Sequence, residues 1–197
     1  LFDACAQAGV QRVVHISALG IDGSNTRYAQ TKRAAEAHLQ TLATQAKLRP
    51  AILRPSVVYG KGGDSSALFM NLARLPLALF PGPMLTARVQ PVSVHDLAAA
   101  VVALLGPALQ HTGTIDCTGP EALTMGAFIA SLRQQLGHSP ATVLRLPQPL
   151  TTLSARLGDA VPQSPWCSET LAMLGSDNVG NPAVFEQLLG RKGVHYS

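Results

Sequence analysis

The chain has 197 residues, of which 47% are hydrophobic and 13% charged, with a mean hydropathy of +0.20, and these proportions exclude disordered, collagen-like and coiled-coil proteins. Its net charge of +4 is local: residues 1–60 carry seven Lys/Arg against three Asp/Glu, a bias that suits a phosphorylated ligand, while three aromatics in that segment are too few for a nucleic-acid platform. No apolar run reaches the roughly 18–20 residues of a membrane span, and Cys5, Cys117 and Cys167 lack zinc or disulfide spacing, which points to a reducing compartment.

The opening residues 1–8 read as a helix closed by Gly9, with no charged leader ahead of them, so the expectation is a fragment whose N-terminus lies upstream. Residues 11–17 form a β-branched run that predicts a buried strand ending in the hydroxyl of Ser17. A turn-rich loop over 20–26 follows. Tyr28, Lys32, Ala35, Leu39, Leu42 and Ala46 then recur at spacings of three and four, one face of a helix. Residues 51–55 predict a second buried strand that continues into 56–60. Helix, strand, helix, strand with short connections is the pattern of a parallel α/β sheet.

Past Gly60 the alternation stops. Glycines and prolines leave one helix over 66–75, and Gly60-Lys61-Gly62-Gly63 reads as a loop. Residues 88–94 predict a strand with alternating faces, Asp96 an N-cap for a helix over 97–105, residues 114–117 another strand, and Thr124 the cap of a helix over 125–136. Two or three short helices between prolines fill the last sixty residues. Trp166, with Pro162 and Pro165, is expected to pack a small second lobe.

Ser17, Tyr28 and Lys32 carry the chemistry. Tyr28 and Lys32 stand one helical turn apart and continue the apolar stripe, which aims them at the sheet. An ammonium beside a phenol favours the phenolate, so Tyr28 is expected to titrate below its ordinary value of about 10 and to exchange a proton with a substrate hydroxyl or carbonyl. Ser17 reaches the same crevice outside the carboxyl ends of the strands. Arg54 is a partner for either a carboxylate or a phosphate, and Arg88 and Gln90 are placed to reach a substrate from the second lobe. His15 and His95 lack a second ligand at metal spacing and read as structural.

The sequence around Arg12-Val13-Val14-His15-Ile16-Ser17, Tyr28-x-x-x-Lys32, Leu53-Arg54-Pro55-x-x-Val58-Tyr59-Gly60 and Pro91-Val92-x-Val94-x-Asp96 resembles the extended or atypical branch of the short-chain dehydrogenase/reductase superfamily. Within it, residues 28–36, 90–92, 164–166, 177–179 and 185–190 are similar to the nucleotide-binding accessory subunit of respiratory complex I and its bacterial relatives. This resemblance implies the C-terminal part of a Rossmann-type doubly wound parallel sheet with a small, mostly helical substrate lobe. Residues 1–110 would form the dinucleotide domain, with part of the lobe inserted around 61–90, and 111–197 the lobe itself. It implies NAD(P) as cofactor, NADP(H) slightly preferred, with Tyr28 as acid/base, Lys32 on the nicotinamide ribose, Ser17 orienting the substrate, and Pro55, Ser56 and Val57 along the nicotinamide. The glycine-rich phosphate loop of that superfamily is not in the sequence. The main expectation is nucleotide binding in support of a respiratory-complex or other protein partner, in the cytoplasm or at the inner face of a respiratory membrane. The alternative is an active reductase, epimerase or dehydratase on a sugar nucleotide or lipid-like carbonyl. A redox-sensing regulator is the third reading.

Overall fold

The computed structural model describes residues 1–45, 47–106, 111–161, 164 and 166–196. In chain order the first half runs α1 (Phe2–Gln7), β1 (Arg12–Ile16), α2 (Arg27–Thr44), β2 (Arg49–Pro55), β3 (Val58–Tyr59), α3 (Asp64–Arg74), β4 (Leu77–Pro81) and α4 (Gly82–Thr86). The second half runs β5 (Arg88–Val89), β6 (Val92–Ser93), α5 (Val94–Leu105), β7 (Gly113–Cys117), β8 (Leu123–Thr124), α6 (Met125–Gln135), β9 (Thr142–Leu146), α7 (Gln148–Asp159), α8 (Ser168–Met173) and α9 (Ala183–Leu189).

A three-stranded parallel sheet, ordered β1-β2-β7, organises the molecule. Strands buried on both faces read as near-continuous apolar runs, and Ala51-Ile52-Leu53 in β2 is such a run. The period of two sends Ala51 and Leu53 to one face with Ile115 and Cys117, where they pack on Ala100 and Leu104 of α5 and on Phe185 and Leu188 of α9. The opposite face takes α2, whose Leu39 and Leu42 close over Leu48 and Val13 with Phe2 of α1. Fully burying Leu39 or Leu53 contributes about 1.5–3 kcal/mol each. A separate core, built from Phe80, Met84, Val89, Phe128 and Ile129, holds the small lobe together.

Several elements differ from the sequence reading. Buried positions of α2 are Ala29, Glu36, Leu39 and Leu42, so the inward stripe is rotated from the expected one; Tyr28 lies at its margin, and Ala46 is outside the described residues. Residues 77–81 and 142–146 pair as a two-stranded parallel ribbon that the prolines around it concealed. The strand expected over 88–94 is broken at Gln90-Pro91 into β5 and β6, which pair with different partners. The division expected at residue 110 also shifts, because β7 joins the central sheet and α9 covers it. Pro162 and Pro165 are outside the described residues, while Trp166 donates its indole N–H to Ser154 of α7 at 3.1 Å.

Asp96 is not the cap of α5. Ser93 caps it, accepting from the His95 N–H at 3.2 Å, and Asp96 is buried inside the first turn, with 0% exposure. Its carboxylate accepts from the guanidinium of Arg191 and from the Val194 N–H, binding residues 191–194 to the fold. Thr124 does cap α6, accepting from Ala127 N–H at 3.1 Å. Removing one partner of a buried ion pair strands the other charge. Arg191→Ala is therefore expected to lower stability by about 2–3 kcal/mol, less than for a wholly buried pair because Arg191 is half exposed, and to release residues 191–196 to protease. Limited proteolysis followed by mass spectrometry checks this, and an unchanged digestion pattern would contradict it.

Candidate functional site

Each strand of the central sheet is followed at its carboxyl end by a hydroxyl: Ser17 after β1, Ser56 after β2 and Thr118 after β7. All three residues are buried. Ser56 Oγ donates to the Asn178 carbonyl at 2.8 Å and accepts from the Gln90 N–H at 3.1 Å. By contrast Ser17 Oγ, Thr118 Oγ1 and Asn178 Oδ1 are buried and have no hydrogen-bond partner. An unpaired buried polar group costs about 1–3 kcal/mol. Three of them gathered outside the carboxyl ends of parallel strands mark the place where open α/β sheets take their ligands.

Tyr28 and Lys32 reach this edge from α2, which Thr26 starts by accepting from the Ala29 N–H at 3.2 Å. Lys32 Nζ donates to the Ile16 carbonyl at 2.8 Å, next to Ser17, and lies 5.6 Å from the centre of the Tyr28 ring. The ammonium is thus fixed to the strand and stands over the ring. Tyr28 itself is 38% exposed. Its partial burial pushes the phenol above its ordinary pKa, which corrects the expectation of a lowered value. Spectrophotometric titration of the unliganded protein is expected to place Tyr28 above pH 10; a phenol titrating below 9 that vanishes in Tyr28→Phe would contradict this.

Beneath Lys32, α2 buries a carboxylate. Glu36 accepts from Arg54 Nε at 2.9 Å and Nη2 at 2.5 Å, while Arg54 Nη1 donates to Asp22 at 2.6 Å. Arg54 therefore serves carboxylates, which resolves the alternative left by the sequence. Burial pushes the Glu36 carboxyl up, but the hydrogen bonds and charge of Arg54, with a contribution from the neighbouring Ser17 hydroxyl, outweigh it and hold Glu36 below the ordinary carboxylate range. Ser17 adds to that effect without reaching hydrogen-bond geometry of its own. His15, on the same face of β1, has its pKa lowered by burial and by the Lys32 charge, partly offset by Glu36. Its Nε2 is buried without a partner.

The other expected site residues are largely engaged within the fold. The Pro55 carbonyl accepts from the Leu19 N–H and the Val57 carbonyl from the Val92 N–H, both at 2.9 Å. Gln90 is buried, donating to the Gly119 carbonyl at 2.7 Å and accepting from the Gly180 N–H at 3.3 Å, so its amide joins two loops. Arg88 is exposed and spends one N–H on the Ala122 carbonyl. His95 is exposed on α5. A cavity of about 670 Å³ between α3 and α6, walled by Tyr59, Phe69, Phe128 and Tyr196 with Lys61 at its rim, includes none of Ser17, Tyr28 or Lys32. Among the described residues, no helix is long and apolar enough to cross a membrane. Sequence reasoning missed Glu36, although it stands four residues beyond Lys32 on the same helix, and it missed Thr118 and the role of Asn178, for which no local signal exists.

The family model described as the NAD dependent epimerase/dehydratase family matches residues 1–115. The chain belongs to this family. Solved structures agree in fold. A UDP-glucuronic acid 4-epimerase from Bacillus cereus, in complex with UDP-glucuronic acid and NAD, aligns at 18% identity and TM-score 0.67 over 99% of this chain and 60% of its own. An NADPH-dependent quinone oxidoreductase from Escherichia coli, complexed with NADPH, aligns at 19% identity and TM-score 0.71 over 98% of this chain and 65% of its own. A UDP-glucose 4-epimerase from Thermus thermophilus, in complex with NAD, aligns at 23% identity and TM-score 0.56 over 89% of this chain and 67% of its own. This member of the epimerase/dehydratase family thus spans about three-fifths to two-thirds of the length of those structures. No curated protein matches its sequence.

Proposed function

We propose that the chain is the part of an NAD(P)-dependent enzyme that carries the catalytic tyrosine, with reductase, epimerase or dehydratase chemistry on a sugar nucleotide or a lipid-like carbonyl. The observation that carries this reading is the placement of Tyr28 and Lys32 at the carboxyl edge of the parallel sheet, beside the unpaired hydroxyl of Ser17. Family membership supports it, and the similar structures bind NAD or NADPH and act on sugar nucleotides or quinones.

The residues present suit the nicotinamide end of such a cofactor, because unpaired hydroxyl and amide oxygens gather at the sheet edge. No Gly-x-Gly-x-x-Gly occurs in the 197 residues to cradle a pyrophosphate. When bound, the nicotinamide supplies or takes the hydride. Tyr28, a neutral phenol at pH 7, gives its proton to a carbonyl oxygen in the reducing direction and is reprotonated from solvent, and its phenolate takes the proton of an alcohol in the oxidising direction. Lys32, fixed to the Ile16 carbonyl, presents its remaining N–H groups to the ribose side of the crevice, and Ser17 orients the substrate oxygen.

A second reading, nucleotide binding in support of a protein partner such as a respiratory complex, draws on one feature: Leu150, Leu153 and Leu157 of α7 face outward while Thr151 and Ala155 face in. Turnover of NADPH and NADH by the complete gene product, across quinones, aldehydes, ketones and sugar nucleotides, separates the two. Turnover of any of these substrates is the expected result; saturable nucleotide binding with none favours the partner reading.

A further inference from the structure

The segment 177–180 lies across the carboxyl ends of β1 and β2, and one residue of it makes three attachments. Asn178 donates its side-chain N–H to the Leu19 carbonyl at 2.9 Å, accepts at its own carbonyl from Ser56 Oγ at 2.8 Å, and donates its backbone N–H to the Arg88 carbonyl at 2.7 Å, a bond that pairs it in parallel with Val89. Because only the amide nitrogen can face a carbonyl, the contact with Leu19 fixes the amide orientation. The sequence makes room for this strap. Gly20, at φ +78°, lets the amide lie where a Cβ would come within 3.3 Å of it, and a Cβ at Gly180 would stand 2.7 Å from an Asp116 carboxylate oxygen.

We propose that Asn178 is a positioning residue for the candidate site. It ties the loop after β1, which follows Ser17, to the loop after β2, which holds Ser56 and Val57, and so, together with the Leu19–Pro55 backbone bond, sets the spacing between the two loops that flank the nicotinamide end of the crevice. This rests on the dinucleotide reading above. The backbone joins the two segments once, through the Leu19 N–H on the Pro55 carbonyl at 2.9 Å, and Asn178 adds a second link by engaging the Leu19 carbonyl and the Ser56 hydroxyl from 159 and 122 residues away in sequence. Loss of the Leu19 contact leaves the Ser56 bond and the backbone pairing with β5 in place, so its effect is local to the crevice.

The test uses Asn178→Asp in the complete gene product, with dissociation constants for NADH or NADPH compared with those for ADP-ribose or its 2′-phosphate, which lack the nicotinamide. At pH 8 the carboxylate cannot donate to Leu19, and affinity for the full dinucleotide is expected to fall about tenfold with the ADP-ribose affinity unchanged. At pH 5 a carboxyl held against the Leu19 carbonyl takes up a proton, donates again and restores most of the lost affinity. Wild-type protein measured at both pH values corrects for Asp116, Asp177 and Arg88, the charged groups around position 178. Asn178→Ser, whose donor is too short to reach Leu19, is expected to show the selective loss at both pH values. Equal losses for both ligands, or none, would overturn the proposal alone. Failure of the wild-type protein to bind either ligand would overturn the dinucleotide reading and this proposal with it.

Discussion

Tyr28→Phe is expected to lower turnover by about a hundredfold or more, the scale of a lost general acid or base, while nucleotide affinity stays within about twofold. The substitution removes one oxygen from a residue 38% exposed and leaves the ring under Lys32 in place, so the fold has no reason to change. Lys32 is anchored by the Ile16 carbonyl and not by the phenol, so it holds its position in the variant. Steady-state kinetics on the variant and wild type check the split between kcat and binding. Turnover retained within tenfold would remove Tyr28 from the proton transfer and leave the crevice without an acid.

Arg54→Met is expected to be the most damaging single change to stability. The guanidinium is the partner of a carboxylate whose side chain is 5% exposed, and deleting it strands Glu36 in the interior at a cost of about 3–5 kcal/mol. The pH dependence has a definite sign. Glu36 titrates below its ordinary value in the folded protein, so the stabilisation is fully present above the unfolded pKa of about 4.3 and is lost as the pH falls through the lower folded one. In the variant, burial without a partner raises the Glu36 pKa, and protonation relieves the stranded charge. The stability difference between the two proteins should therefore be largest near pH 7 and shrink toward pH 4. Urea unfolding at both pH values measures it, and a difference below 1 kcal/mol at pH 7, or one that grows on acidification, would contradict the account.

Much of the sheet was legible because its signals are local. The run from Val13 to Ile16, the stretch Ala51-Ile52-Leu53 and the Thr114-Ile115 pair each declare a strand by composition alone, although only β2 is buried along most of its length and β1, expected to be buried, is half-exposed and ends on the exposed Ile16; a spacing of four placed Tyr28 and Lys32 on one side of a helix. Thr124 was legible as a cap for the same reason, since its partner is three residues away. What stayed hidden depends on partners distant in the chain. Asp96 reads as a cap until Arg191 and Val194, almost a hundred residues later, are seen to claim its carboxylate. β4 carries Pro81 and follows Pro76, yet it pairs with β9 some sixty residues on. Gln90 reads as a substrate contact, and its bonds to Gly119 and Gly180, which no local pattern announces, make it a clamp between two loops. The lowered phenol pKa failed because helical spacing brings an ammonium near a ring without saying how far the ring is buried, and partial burial pushes the Tyr28 phenol up.

The most direct test of the central claim is a fluorescence titration of the complete gene product with NADPH and with NADH, using nucleotide emission and Trp166 as reporters. The account predicts saturable binding of at least one nucleotide, at one site per chain, weakened by Lys32→Ala because the ammonium fixed beside Ser17 is then gone. No saturable binding of either nucleotide, or binding indifferent to Lys32→Ala, would contradict a dinucleotide site at the carboxyl edge of this sheet.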